Sequence, residues 1–199
     1  MATVLAVFVA LSGSRLRHWL TPPQLTITLA NAEGFPATLY IFNRETNEAQ
    51  HQTNGIWYHV RVDNKIRSTT ATGVHIFLIL IEAPDASGEF KPIWEGYAKL
   101  GCRHEPNLEP KDIGYHAECD LCHVLKDPRE VRFSPLIKGQ VPDTFIGPFK
   151  IGVTLQARDI EAESDLLRLE ISWDGEWSDD RAEMKRHFVV KAAGARGGA

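Results

Sequence analysis

The chain has 199 residues, of which 43% are hydrophobic and 24% are charged. These are the values of an ordinary globular protein that can bury a core without disulfides. The formal net charge of -4 argues against nucleic acid as a partner, since nucleic acid selects basic surfaces. The three cysteines are an odd number, so they cannot all pair within one chain, and free thiols favour a reducing compartment.

The first residues of the chain form an uncharged apolar run, ATVLAVFVAL over 2–11, which is followed by Arg15, Arg17 and Trp19. A helix needs about 20 apolar residues to cross a bilayer, and this run has about half that length. Three interpretations remain open: the end of a transmembrane helix that begins upstream, the apolar part of a signal peptide without its basic start, and a buried strand or helix. We favour the first. On this interpretation, residues 1–20 contact the membrane. Because basic residues beside a transmembrane helix stay on the cytoplasmic side, the rest of the chain is expected to face the cytoplasm.

Beyond Pro22, short segments of alternating hydrophobicity predict β-strands. In chain order these segments are 25–29, 56–64, 74–83, 115–125, 150–157, 166–173 and 187–191. Two intervening stretches are predicted to be irregular: 31–55, which contains the turn signal Asn54-Gly55, and the proline-rich 84–112. A short helix is predicted within 178–186, starting at Ser178 or Asp179.

Many short strands without a long amphipathic helix predict an all-β fold, an immunoglobulin-like antiparallel sandwich over residues 21–191, with a disordered tail over 192–199. Ten alternating residues are predicted to form one inter-sheet core: Tyr58, Val60, Val62, Val74, Ile76, Leu78, Val153, Leu155, Leu169 and Ile171. Segment 74–83 is apolar on both faces, with Leu80 predicted beside Leu78 and Ile81 beside Phe77. Both faces are therefore predicted to be covered.

Four sequence stretches resemble parts of known bacterial proteins. YHVRVDNKIRSTTATGVHIFL is similar to the second and third strands of bacterial immunoglobulin-like modules, and AECDLCHV and LEISWDGEWSDDRAEM resemble a family of uncharacterised bacterial membrane-associated proteins. In that family, a C-terminal immunoglobulin-like sandwich follows membrane helices through a basic junction like RLRHWLTPPQLTI here. The resemblance covers residues 15–190 and implies no catalytic residues.

A cluster of cysteine and histidine residues is the sharpest candidate for chemistry. It comprises Cys102, His104, His116, Cys119, Cys122 and His123. The gap between Cys119 and Cys122 is that of a zinc knuckle, and four such ligands suffice for structural zinc. However, this pair lies in a predicted strand, where its two side chains would face opposite sides. We therefore predict buried thiols and no metal site, and we keep a zinc-binding module or enzyme as an alternative.

The stretch WDGEWSDD could hold a hard cation, or offer tryptophans to a sugar, through its acidic and aromatic side chains. We interpret it instead as an Asp-Gly turn, a core Trp173 and acidic residues at a helix start. The sequence contains no GxSxG motif, phosphate-binding loop, Rossmann fingerprint or HExxH motif. The sequence therefore predicts a non-enzymatic membrane-associated structural or protein-interaction module without a cofactor, which binds an unknown protein partner and no nucleic acid. A carbohydrate-binding sandwich that uses Trp94, Trp173 or Trp177 is the remaining alternative.

Overall fold

The computed structural model describes residues 21–42, 49–103, 108–135, 137, 145–158 and 166–193, and these form two antiparallel sheets packed face to face. The predicted all-β sandwich is confirmed at this level. The apolar segment 1–20, which was expected to be helical, lies outside the described residues, as does the predicted tail beyond residue 193. Among the described residues, none belongs to a helix with the length and apolarity needed to span a bilayer.

Sheet 1 consists of β1 (Leu25–Leu29), β2 (Phe35–Phe42), β3 (Ala49–Asn64), β7 (His116–Leu125) and β8 (Glu130–Phe133). Its order is β1–β3–β7–β8, and β2 also pairs with β3. The strand β3 has 16 residues, so its first half pairs with β2 and its second half with β1. These two short strands together form one edge of the sheet, and β3 and β7 lie at its centre.

Sheet 2 consists of β4 (Ala71–Pro84), β5 (Phe90–Lys99), β6 (Lys111–Ile113), β9 (Gly147–Gln156), β10 (Leu167–Trp173) and β11 (Phe188–Ala192). Its order is β11–β10–β9–β4–β5, and β6 pairs with the beginning of β4. The helix α1 (Arg181–His187) connects β10 to β11. The side chain of Asp180 caps α1 by accepting hydrogen bonds from two backbone N–H groups of its first turn, so the helix begins later than the predicted Ser178 or Asp179.

The space between the sheets is filled by alternating residues of both sheets. All ten predicted core residues belong to this buried cluster: Tyr58, Val60, Val62, Val74, Ile76, Leu78, Val153, Leu155, Leu169 and Ile171. Trp173 is fully buried in the same cluster, and the ring of Phe188 lies 5.0 Å from that of Tyr58 across the two sheets. The period-two prediction of the core is therefore confirmed.

The two stretches predicted to be irregular were assigned wrongly. Residues 31–55 contain β2 and the first half of β3, and residues 84–112 contain β5 and part of β6. The Asn54-Gly55 pair, which was predicted to form a turn, lies inside β3. A Cβ atom at Gly55 would approach Leu39 Cδ1 to 2.7 Å and the Val124 carbonyl oxygen to 3.0 Å. Glycine serves close packing here, and its sequence signature is the same as that of a turn.

A β-bulge in β4 changes which residues face the core. Leu78 pairs with Val153, but Leu80 pairs with Gly152, so Ile79 is an extra residue in the strand. The side chains beyond the bulge exchange faces: Ile81 is fully buried in the core cluster, whereas Leu80 lies beside Gly152 on the outer face. The prediction that grouped Leu80 with Leu78 and Ile81 with Phe77 was wrong for this reason.

The chain changes sheets directly after β5. The N–H of Leu100 still donates to the Ile76 carbonyl of sheet 2 at 2.9 Å. Two residues later, Cys102 forms a bridge with Cys119 of β7 in sheet 1. The bridge is held by Arg103 N donating to Glu118 O and Asp120 N donating to Gly101 O, both at 2.9 Å. This segment therefore ties the edge of sheet 2 to sheet 1.

Gly55→Ala tests the close packing inside β3. The added methyl group must displace Leu39 or strain the strand pair, so we expect a loss of about 1–3 kcal/mol of unfolding free energy, as in other overpacked sites. Gly114→Ala is the matched control, because the nearest atom to its Cβ position is 3.7 Å away. Urea denaturation measures both variants. Equal unfolding midpoints for the two would contradict the packing argument.

Candidate functional site

The structure brings two of the predicted cluster residues, Cys102 and Cys119, into direct contact. Their Sγ atoms are 3.3 Å apart and share a hydrogen bond. Cys102 is partly exposed and Cys119 is buried. The hydrogen bond from the Cys119 thiol lowers the pKa of Cys102 to about 7, with a smaller contribution from Lys111. The same contact, together with burial, raises the pKa of Cys119, so Cys102 ionises first.

Cys119 and Cys122 both face the core, contrary to the prediction that they face opposite sides. Cys119 pairs with Val60 and Cys122 with Tyr58, and both partners belong to the inter-sheet core. A bulge at Leu121 adds one residue between the two cysteines, which restores a common face. Burial raises the pKa of Cys122 to about 12, and this thiol therefore stays protonated.

The predicted histidine members of the cluster do not join the thiols. His116 lies exposed at the start of β7, where its ring is 5.0 Å from that of Tyr115. His123 pairs with Trp57 on the opposite face of sheet 1, and His104 lies outside the described residues. Within the described ranges, no group of three or more His, Cys, Asp or Glu side chains is placed to hold a metal ion.

A second group of side chains, which the sequence did not single out, lies on the outer face of sheet 1. We call it the histidine cluster, and its members are Phe35, Trp57, His59, Arg103, Asp120 and His123. His59 Nε2 is 3.0 Å from a carboxylate oxygen of Asp120. The Trp57 ring lies 4.3 Å from that of His123 and 6.2 Å from that of His59. Outward alternation of Trp57 and His59 along β3 is the sequence signal that could have indicated it.

The histidine cluster is partly desolvated. His59 is 3% exposed, and within the described part of the chain the Nδ1 atoms of His59 and His123 have no hydrogen-bond partner. Burial lowers the pKa of His123 to about 4, and the charge of Arg132 adds to the shift. The His59–Asp120 pair has the form of a base and its orienting carboxylate. However, the cluster as defined contains no hydroxyl or thiol for such a base to activate.

The three tryptophans proposed for sugar binding lie in different environments. Trp173 is fully buried and its Nε1 donates to the Glu176 carbonyl, so it offers no platform to a sugar. Trp94 and Trp177 are half-buried against the core. Trp177 lines an open cavity of about 370 Å³ between sheet 1 and the start of α1, and its Nε1 donates to Asp179 at 3.0 Å. Asp179 also pairs with Lys126 at 2.6 Å, which leaves the acidic stretch engaged in structural contacts.

The outer face of sheet 2 carries a strip of half-exposed apolar side chains, which we call the apolar strip: Phe77, Ile79, Tyr97 and Leu166. Tyr97 is 71% exposed and Leu166 is 41% exposed. The rings of Phe77 and Tyr97 meet edge to face at 5.7 Å. Ile79 and Leu166 pack over Gly152, since an atom of each lies 3.5 Å from the position that a Cβ atom would take there. Phe77 and Ile79 are thus covered only in part.

Charged side chains of both signs continue the outer face of sheet 2 beside the apolar strip. Lys150 lies 3.5 Å from Glu170, and Arg168 lies 3.9 Å from Glu82. These pairs connect β4, β9 and β10 across the sheet. An apolar centre with a rim of mixed charge is the composition of a protein–protein interface.

Comparisons of the chain with protein-family models, with curated proteins and with solved structures find no match.

The half-buried imidazole of His123 predicts an acid-sensitive fold. Its pKa falls from 6.5 to about 4 on folding, so the unfolded chain binds the proton more tightly and stability decreases as the pH falls through this window. Between pH 7 and pH 5 we expect a loss of about 1–2 kcal/mol from this group. His123→Gln should remove that loss, whereas His116→Gln at the exposed site should keep it. Urea titrations at both pH values make the comparison, and identical pH dependence in the two variants would refute it.

Proposed function

We propose that the chain is a non-enzymatic, membrane-associated interaction module built on an immunoglobulin-like sandwich. The strand order supports the immunoglobulin-like type. In that fold, strand B pairs with A and E in one sheet, and strand C pairs with F, which pairs with G, in the other. Here β3 lies between β1 and β7, while β4 pairs with β9 and β9 with β10. The segment around Cys102 bridges β7 on the side that strand D occupies in such domains.

The apolar strip is the observation that carries the interaction role. Scattered exposed apolar residues are normal on a protein surface, but contiguous ones mark contact sites. The strip joins β4, the edge strand β5 and Leu166, the residue before β10, into one surface. Tyr97 belongs to a residue type enriched at interfaces. The charged pairs beside it include both signs. An anionic lipid surface would instead favour clustered Lys and Arg, so we assign the strip to a partner protein.

The β5 edge of sheet 2, which adjoins the apolar strip, is a poorer docking site than the face of the sheet. β5 contains Pro92, Lys91 and Lys99, and its pairing with β4 is interrupted by two register shifts. Proline, lysine and bulges are the features that prevent an edge strand from accepting another strand. The partner is therefore expected to contact side chains on the face of the sheet and not to extend the sheet at β5.

The membrane role rests on residues 1–20, which lie outside the described residues. The apolar run 2–11 and the basic residues Arg15 and Arg17 favour an anchor with the sandwich on the cytoplasmic side. Three free cysteines agree with a reducing environment. Neither the described histidine cluster nor the contact between Cys102 and Cys119 combines a nucleophile, a general base and a substrate cleft, which an enzyme that uses nucleophilic catalysis requires.

Photo-crosslinking tests the apolar strip as the partner surface. A benzophenone amino acid replacing Tyr97 in the full chain, expressed in its own host, should give a discrete product with another protein. The same probe at exposed Ser87, in the turn before β5, is the control and should give none. Excess unlabelled chain should compete, and Ser87→Glu chain should compete equally. Tyr97→Glu chain should not.

Three outcomes would overturn this assignment. They are equal products from positions 87 and 97, a product that contains only two copies of the chain, and full competition by Tyr97→Glu. The first would indicate random collision, and the second would indicate self-association. The third would place the contact elsewhere on the sandwich.

Removal of residues 1–20 tests the membrane role separately. A chain that begins at Thr21 should keep its unfolding midpoint within a few degrees, because it retains every residue of the inter-sheet core that the structure describes. It should stay in the soluble fraction when mixed with phospholipid vesicles, whereas the full chain should float with them on a density gradient. Unfolding of the shortened chain would show that residues 1–20 belong to the core. Equal flotation of both chains would show that the sandwich itself binds the membrane.

A further inference from the structure

The contact between Cys102 and Cys119 has the geometry from which a disulfide forms. The two residues are opposite each other in an antiparallel bridge. The flanking hydrogen bonds run from Arg103 N to Glu118 O and from Asp120 N to Gly101 O, so the cysteines themselves form a non-hydrogen-bonded pair. Cα atoms of such pairs are about 4.5 Å apart, within the range that a disulfide spans.

The sulfur atoms need only a small movement to bond. They are 3.3 Å apart, and a disulfide bond measures about 2.05 Å. Rotation of the side chains covers that difference without a change in strand register. The exposed fraction of the pair lies on Cys102, where a small oxidant can reach it, while Cys119 is fully buried behind it. One accessible thiol with a second thiol in contact is the arrangement of a reactive and a resolving cysteine.

We propose that Cys102 and Cys119 form a reversible intramolecular disulfide when the chain meets a hydroperoxide. The Cys102 thiolate attacks one peroxide oxygen, the O–O bond breaks, and the other oxygen leaves as an alkoxide or hydroxide that takes a proton. Cys102 is then a sulfenic acid. The Cys119 sulfur attacks it, the S–O bond breaks and water leaves with the Cys119 proton. The two thiols have lost two electrons in total, and the peroxide has gained them.

The ionisation of the two thiols fits this order of events. The pKa of Cys102 lies at about 7, because Cys119 donates a hydrogen bond to it, so a substantial thiolate fraction exists at neutral pH. Cys122 is the third thiol, and it is fully buried with a raised pKa. It pairs with Tyr58, and the pair of His59 with Asp120 separates it from Cys119 along the strand. The contact between Cys102 and Cys119, and not the CxxC spacing of Cys119 and Cys122, therefore determines which thiol reacts.

The bond would act where the chain changes sheets. Residues 101–103 link β5 of sheet 2 to β7 of sheet 1 through two backbone hydrogen bonds. A disulfide adds a covalent connection at this point and closes the loop between residues 102 and 119. Closing a loop of this size removes conformational freedom from the unfolded chain. Oxidation is therefore expected to raise the thermal midpoint by roughly 5–10 °C, and a thiol reductant should reverse the change.

Hydrogen peroxide treatment of the purified, fully reduced chain tests the proposal. The number of thiols titrated after denaturation should fall from three to one per chain, and peptide mapping should find Cys102 linked to Cys119. A thiol reductant should restore all three. The Cys122→Ala chain should fall from two thiols to none, and the Cys102→Ser chain should keep its two under the same treatment.

Mapping of the unaltered chain decides the matter even where a variant fails to fold. A bond between Cys119 and Cys122, a bond between two chains, or Cys102 oxidised to sulfinic acid with Cys119 still free would each overturn the proposal. Three thiols remaining after peroxide treatment would do the same.

Discussion

The pairing of β3 with β7 is the contact on which the rest of this sandwich depends. These two strands form the centre of sheet 1, and their inward side chains supply one wall of the inter-sheet core. The extra residue at Leu121 lets Cys119 and Cys122 face that core together. It also places Asp120 opposite His59 and His123 opposite Trp57 on the outer face. One bulge therefore sets both the inward face of Cys122 and the outward placement of His123.

A second bulge, at Ile79, has a comparable effect on sheet 2. It turns Ile81 into the core and leaves Leu80 near Gly152 on the outer face. The apolar strip is a consequence of this arrangement, because Ile79 remains half-exposed beside Leu166. Bulges are common where a sheet re-aims side chains toward a functional surface. In this chain, the apolar strip lies beside the bulge at Ile79, and Cys119 lies beside the bulge at Leu121.

The histidine cluster is the least explained feature of the molecule. It combines a nearly buried His59 with the Asp120 carboxylate and a desolvated His123, and burial of unpaired ring nitrogens costs free energy. Its measurable consequence is on stability in acid. The cluster lies on the outer face of sheet 1, the apolar strip lies on the outer face of sheet 2, and Cys119 faces the core between the sheets, so single substitutions can separate their effects.

The sequence by itself determined the strand class and the core. Period-two alternation at Val60, Ile76 and Leu155 is a local property, and it identifies inward positions because one side of each strand must be buried. The buried Trp173 was predictable for the same reason, and the glycine of Asp174-Gly175 indicated the change of direction after β10, where Gly175 has a φ of 87°. The strands within residues 31–55 and 84–112 could not be predicted in this way, since glycine and proline occur both in turns and in strands that are closely packed or lie at an edge.

Only the tertiary structure decided which side chains meet. Cys102 and Cys119 are 17 positions apart and come together because the chain changes sheets after β5. Spacing indicated the Cys119–Cys122 pair instead, and alternation placed these two on opposite faces. A bulge reverses alternation for every residue beyond it, yet it is specified by the packing of neighbouring strands. For that reason the core could be predicted from the chain, whereas the contacts that carry chemistry required the fold.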